Sequence, residues 1–83
     1  MGFAIVRSRR TKMDITVAIL KITNKEVTKT QIVYGTNLNF ILAGKYLDFL
    51  KQNGFIESPN RATHYQITDK GREFLEKIQE VMI

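Results

Sequence analysis

Thr28-Lys29-Thr30-Gln31-Ile32-Val33-Tyr34-Gly35-Thr36-Asn37-Leu38-Asn39-Phe40 is the stretch that decides the fold. Thr28 with Gln31 three places on is a capping box, in which the threonine hydroxyl accepts a first-turn amide and the glutamine side chain reaches back to the Thr28 amide. Such a cap stabilises a helix by about 1 kcal/mol. The helix it opens is short, about Lys29 to Tyr34, with Ile32 and Val33 inward. Gly35-Thr36-Asn37 is expected to break it, because glycine and asparagine tolerate positive φ. Asn39 then caps a longer helix, about Phe40 to Gln52, whose inward stripe is Phe40, Ala43, Tyr46, Leu47 and Leu50 and whose stop is Asn53-Gly54. Small Ala43 and Gly44 let another backbone come close. A link of about four to five residues makes the two amphipathic helices cross steeply over one core.

The flanking sequence supplies the rest of that core. Upstream, Thr11 and Asp14 form another capping box, with Asp14 also favoured by the helix dipole. Ile15, Ala18, Ile19 and Ile22 recur at the helical period, Val17 and Leu20 widen the face, and Thr23-Asn24-Lys25-Glu26 ends the helix. Downstream, Phe55-Ile56-Glu57 and Thr63-His64-Tyr65-Gln66-Ile67 read as two strands, joined by Ser58-Pro59-Asn60-Arg61-Ala62. They form a hairpin with Tyr65 and Ile67 inward and His64 and Gln66 outward. Thr68 caps a last helix, about Asp69 to Met82, with Phe74, Leu75, Ile78, Val81 and Met82 on its apolar face and Glu73, Glu76, Lys77 and Glu80 on its wet side. Tyr34, Tyr46 and Tyr65 alternate with aliphatics as core residues do. The expected fold is α+β, mostly α: a winged helix-turn-helix with three helices, a two-stranded wing and a C-terminal helix over residues 11–83. A basic and apolar N-terminal arm, residues 1–10, precedes it.

Length and charge narrow the function. A single domain of 83 residues buries only roughly 60–65% of its unfolded surface, so oligomerisation would help it. The chain has no cysteine, which excludes disulfides, thiolate nucleophiles and zinc-thiolate sites. No apolar run approaches the roughly 18 residues of a membrane span, and the N-terminus lacks a secretory layout. A soluble, cytoplasmic protein is expected. The formal charge is +5, and Arg7, Arg9, Arg10 and Lys12 supply four of the 13 basic residues, with no acid before Asp14. The rest of the chain is close to neutral. Such a block is either a solvated arm or one that binds phosphates or an anionic surface. Phe3, Ile5 and Val6, ahead of it, leave a frayed end, an added strand and a strap over a partner equally open.

The carboxylates sit at helix starts or are scattered, and there is no glycine-rich phosphate loop or nucleophile–base pair. His64 is the only histidine and makes neither a metal site nor a catalytic dyad. No enzyme activity, cofactor or metal is expected. The longer helix instead presents a convex outer face narrow enough for a DNA major groove, with the hairpin beside it to reach phosphates or the minor groove.

Three blocks carry a family resemblance. Lys29-Thr30-Gln31-Ile32-Val33-Tyr34-Gly35-Thr36-Asn37-Leu38 resembles a K-T-x-I-x-Y-x-x-N-L segment. Lys45-Tyr46-Leu47-Asp48-Phe49-Leu50 with Asn53-Gly54-Phe55-Ile56-Glu57 is similar to a recognition-helix exit into a wing. Tyr65-Gln66-Ile67-Thr68-Asp69-Lys70-Gly71-Arg72-Glu73-Phe74-Leu75 resembles a Y-x-I-T-x-K-G-x-x-F-L ending. Together they resemble the archaeal winged-helix regulators and chromatin-associated proteins of the archaellum-regulator type. The resemblance spans about Thr11 to Ile78. It implies binding of double-stranded DNA, usually as a homodimer, in transcription regulation or chromatin organisation at the nucleoid. The chain departs from the pattern at Ile41 and Leu42, where relatives usually carry polar or basic residues. Its last helix is also short, about 21 Å at roughly 14 residues, where some members extend a coiled coil.

The candidate contacts follow. Lys29, Thr30 and Gln31 open the short helix, where free amides and the dipole favour a phosphate. Asn37, Asn39, Ile41 and Lys45 lie on the outer side of the turn and the longer helix. Lys45 is the strongest groove-facing candidate, and Asp48 on the same side ends the contact within the first two turns. Asn60, Arg61, Thr63 and His64 belong to the wing, with Arg61 at its tip suited to a minor groove or phosphate. Arg7, Arg9, Arg10 and Lys12 can follow the phosphate backbone. Phe3, Ile5 and Val6, with the last helix, are expected to build a dimer seam. The alternative is a winged-helix protein-interaction module that does not read DNA, favoured by near-neutral charge outside the arm and by Ile41-Leu42.

Overall fold

The Thr11 hydroxyl accepts from the Asp14 amide at 3.0 Å while the Asp14 carboxylate accepts from the Thr11 amide at 3.0 Å. This box opens the helix Lys12–Ile22, α1. A computed structural model describes residues 10–82 of the chain. Residues 1–9, with the apolar segment and Arg7 and Arg9 of the arm, lie outside the described residues, as does the side chain of Met82. After α1 come the strand Val27–Thr28 (β1), the helices Lys29–Thr36 (α2) and Phe40–Gln52 (α3), the strands Ile56–Glu57 (β2) and His64–Ile67 (β3), and the helix Asp69–Met82 (α4). This is the expected winged helix-turn-helix, mostly helical, with one strand more than the sequence suggested.

That strand, β1, arises from the cap itself. An N-cap residue takes extended dihedrals, and Thr28 sits at φ −87°, ψ 163°. Val27 and Thr28 therefore pair antiparallel with Tyr65 and His64, while Ile56 and Glu57 pair with Ile67 and Gln66 on the other edge. The sheet order β1-β3-β2 puts β3 in the centre, tying the base of the wing to the entrance of α2. One core gathers Ile15, Ile19 and Leu20 of α1, Ile32 of α2, Leu38 of the link, Ala43, Leu47 and Leu50 of α3, and Val27, Ile56 and Ile67 of the sheet. Thr23, fully buried, donates its hydroxyl to the Ile19 and Leu20 carbonyls, and its own carbonyl accepts from the Ile67 amide at 2.8 Å. Among the described residues no buried side-chain polar atom lacks a partner.

Four sequence expectations are corrected by packing. The short helix runs on through Gly35 and Thr36. Glycine is needed there for close approach to α1, since a Cβ would run into Ile22 Cδ1. The helix ends at Asn37, with φ 57° and ψ 41°. Tyr34, expected in the core, is 81% exposed, because Ile32 and Thr36 face inward and residue 34 lies across the helix from both. Phe40, expected inward, is half-exposed, since the first position of α3 overhangs the end of the core. Val81, placed on the apolar face of α4, is exposed near the end of that helix, where it borders only a shallow depression beside Met13 of α1.

The C-terminal helix packs along α1 and β3, and its start is pinned to the turn that leaves α3. Phe55 and Phe74 stack with centroids 4.2 Å apart and planes 1° from parallel. The Thr68 hydroxyl caps the Gly71 amide at 2.9 Å and donates to the Gly54 carbonyl at 2.6 Å. Gly71 lies directly against the Phe55 carbonyl, so a methyl there has rigid backbone to displace. Gly71→Ala is therefore expected to lower the unfolding free energy by about 2 kcal/mol. Gly35→Ala should cost less, because the obstructing atom is the end of a mobile isoleucine side chain and alanine favours helix by about 1 kcal/mol. Urea denaturation of the two variants measures the difference.

Candidate nucleic-acid interface

The turn between α2 and α3 is three residues, Asn37, Leu38 and Asn39, shorter than the expected link because Gly35 and Thr36 are helical. Leu38 is buried beneath it, and Asn39 Oδ1 caps the Leu42 amide at 2.7 Å. Arg10 reaches the same turn from the far end of the chain. Its guanidinium donates to the Thr36 carbonyl at 2.6 Å and the Asn37 carbonyl at 3.3 Å, satisfying acceptors that a helix C-terminus leaves open and placing a cation at its negative end. Neither acceptor is adjacent in sequence, so nothing local could have announced the contact.

With that turn fixed, α3 buries Ala43, Leu47 and Leu50 and shows Ile41, Lys45, Asp48 and Phe49 to solvent. Ile41 is 76% exposed. Lys12, the first residue of α1, lines the same groove as Lys45, together with Leu42, Tyr46 and Phe49. Lys12, Lys45, Ile41 and the turn therefore share one side of the molecule.

The candidates at the start of α2 are more engaged. Lys29 is half-buried, its ammonium 4.9 Å from the centroid of the Phe40 ring and its end lying against Gly44. That cation–π contact bridges α2 to α3 and explains why Phe40 is left at the rim. Gln31 Oε1 accepts from the Thr28 amide at 2.8 Å, so its oxygen is committed to the cap, while Thr30 is exposed.

The wing divides in two. Asn60 folds back to donate to Glu26 Oε1 at 2.9 Å, which ties the turn to the segment before β1. Arg61 is exposed at the tip. Thr63 Oγ1 and His64 Nδ1 are 3.1 Å apart, and His64, expected on the outer face, is half-buried opposite Thr28 in the central strand. Among the described residues there is no cluster of groups able to hold a metal ion, and no helix long and apolar enough to cross a membrane.

The winged helix-turn-helix family model matches residues 9–82. The chain belongs to that family. Its relatives include two uncharacterized proteins of Methanocaldococcus jannaschii. MJ0290 is 40% identical over 74 residues, covering 88% of this chain and 34% of that protein. MJ0287 is 32% identical over 76 residues, covering 90% of this chain and 76% of the relative. The chain thus spans about a third of the length of MJ0290. Among solved structures it is similar to Sso10a-2, a DNA-binding protein from Sulfolobus solfataricus, with a TM-score of 0.79 and 31% identity over 88% of this chain and 79% of the other. These relatives are archaeal, in keeping with the family expected from the sequence.

Within this winged-helix domain the Arg10 contact has a measurable weight. Arg10→Ala removes two hydrogen bonds from a charged donor and should lower stability by about 1–2 kcal/mol. Arg10→Lys keeps the charge but lacks the planar fork, and should recover less than half of that loss in thermal unfolding.

Proposed function

We propose that the chain is a double-stranded DNA-binding protein that acts as a homodimer in transcription regulation or chromatin organisation, with α3 in the major groove and the wing and N-terminal arm on phosphates. The observation that carries this reading is the disposition of α3. Its buried residues face the core, its opposite side is open, and Lys45 on that side stands beside Lys12 at the root of the basic arm. The likeness to Sso10a-2, a DNA-binding protein, supports it.

On this reading Arg61 contacts phosphate or minor groove from the wing tip, and Lys12, Arg7 and Arg9 track the backbone beside α3. With Arg10 held on the turn carbonyls, three cations of the arm region remain for phosphates. Their share of the salt slope is about −2.7. Fluorescence anisotropy with a duplex at several salt concentrations tests the reading. Lys45→Ala should weaken binding several-fold and make the slope shallower by about 0.9. Duplex affinity that is indifferent to salt and to Lys45 would sink the proposal.

The exposed apolar residues of α3 favour one second reading, a protein-interaction module. Ile41→Ser separates the two. An altered preference among duplexes supports groove contact, through loss of an apolar touch on thymine methyls. Unchanged duplex binding points to a protein partner for that face.

Dimerisation is proposed through α4. Val81 is 86% exposed and Met13 45%, and with Ile78 and Lys77 they line a shallow apolar depression of about 340 Å³ between α1 and α4. A second copy laid along this strip would cover it. Light scattering at micromolar concentration should give twice the 9.6 kDa chain mass, and Val81→Asp should return it to the monomer value.

A further inference from the structure

We propose that the groove between α1 and α3 is a binding site for a small aromatic carboxylate. It holds about 490 Å³. Two stripes at helical spacing form its walls, Lys12 and Thr16 on α1 and Leu42, Lys45, Tyr46 and Phe49 on α3. Leu42 and Tyr46 are half-buried at the edge of the core, while Phe49 is 55% exposed with nothing among the described residues covering it.

Size, surface and charge name the occupant. Ligand pockets hold about 300 to 1,000 Å³, a range that includes this groove. A protein partner of ordinary interface size covers about 20–30 residues, whereas six line the groove. Two of the six are aromatic, and a ring laid on Tyr46 and Phe49 makes the offset or edge contacts that such rings favour. A phosphate alone leaves that surface wet. The lining also holds two ammonium groups, on Lys12 and Lys45, and no carboxylate. Asp48, exposed on α3, does not line it. Neither lysine forms an ion pair among the described residues. The Thr16 hydroxyl is already donated to the Lys12 carbonyl at 2.8 Å, so the donors left on the lips are cationic. A carboxylate answers them with charge-assisted hydrogen bonds. A neutral ring does not, and a cationic one is repelled.

The groove opens on the side of α3 assigned above to DNA, and Lys45 belongs to both. A bound carboxylate engages Lys45 and Lys12 and withdraws them from phosphate, so ligand and duplex exclude one another. That exclusion rests on the DNA reading, whereas the ligand site does not.

The test uses the full chain and three probes of one shape: 2-naphthoate, 2-naphthylmethanol and 2-naphthylmethylammonium. Titrated at constant ionic strength and followed by NMR, 2-naphthoate should saturate with a Kd of about 0.1–1 mM, the range for a ligand of about 13 non-hydrogen atoms. The resonances of Leu42, Tyr46 and Phe49 should move with it. The alcohol should bind about ten-fold more weakly, and the ammonium more weakly still. Lys12→Met and Lys45→Met, both at exposed positions, should each weaken naphthoate about three- to ten-fold and leave the alcohol unchanged, which separates lost charge from a disturbed fold. Phe49→Ser should weaken both probes. Absent saturation, equal affinity for the three probes, or shifts centred between α1 and α4 overturn the proposal. Naphthoate binding that fades as the chain concentration rises fifty-fold overturns it in favour of a second copy as occupant. Duplex anisotropy then tests the exclusion: naphthoate at ten times its Kd should raise the apparent duplex Kd about ten-fold, and the alcohol at that concentration only about two-fold. Duplex binding indifferent to bound naphthoate overturns the exclusion. Absent duplex binding sinks the DNA reading and leaves the titration standing, whereas a failed titration beside Lys45-dependent duplex binding sinks the ligand site alone.

Discussion

The outward face of α3 depends on a single constraint, the left-handed Asn37 that ends α2. An L-residue there costs about 1–2 kcal/mol, less for asparagine, whose side chain can bond locally. The cost is offset around it: Leu38 is buried, Asn39 caps the next helix, and Arg10 holds the Thr36 and Asn37 carbonyls. The turn leaves no slack. The buried stripe of Ala43, Leu47 and Leu50 then decides which side of α3 stays open, and it leaves Ile41 and Lys45 to solvent.

Much of the architecture was legible because its signals are local. Thr11 with Asp14, Thr28 with Gln31, Asn39 and Thr68 each satisfy amides within three residues, so sequence spacing alone places the start of every helix. Asn53-Gly54 ends α3 for an equally local reason, as Gly54 takes φ +78°. What sequence left unseen is tertiary. β1 exists only because β3 comes alongside an extended cap. Gly35 looks like a breaker until Ile22 is found against it. Phe40 has the right period for the core and is left outside by the end of the core, where Lys29 settles over its ring. Arg10 looked like one more cation of the arm, and no periodicity or spacing points from it to Thr36.

The candidate site was legible by region and less so by residue. Lys45 and Ile41 were placed on the outer face by helical period, which needs only the identity of the buried stripe. The polar candidates fare differently, because sequence shows a side chain but not what it is already bonded to. Gln31, Asn39, Asn60 and Arg10 all have the chemistry to meet nucleic acid, and all four hold another part of the fold.

That distribution bears on how such a domain would read a duplex. Bidentate recognition of adenine needs both the oxygen and the amide nitrogen of an asparagine or glutamine. Asn39 and Gln31 have their oxygens in caps, where removing them would cost about 1 kcal/mol each. The open side of α3 then offers Ile41, an apolar contact for a thymine methyl, and Lys45, a point charge without a fixed fork. Asp48 one turn on opposes phosphate. Few base-edge donors are left on that side, while the excess of basic residues lies in the arm sequence. On the proposed DNA reading, a domain so arranged would draw its affinity from phosphates and groove shape, which is the physics of architectural binding more than of operator reading.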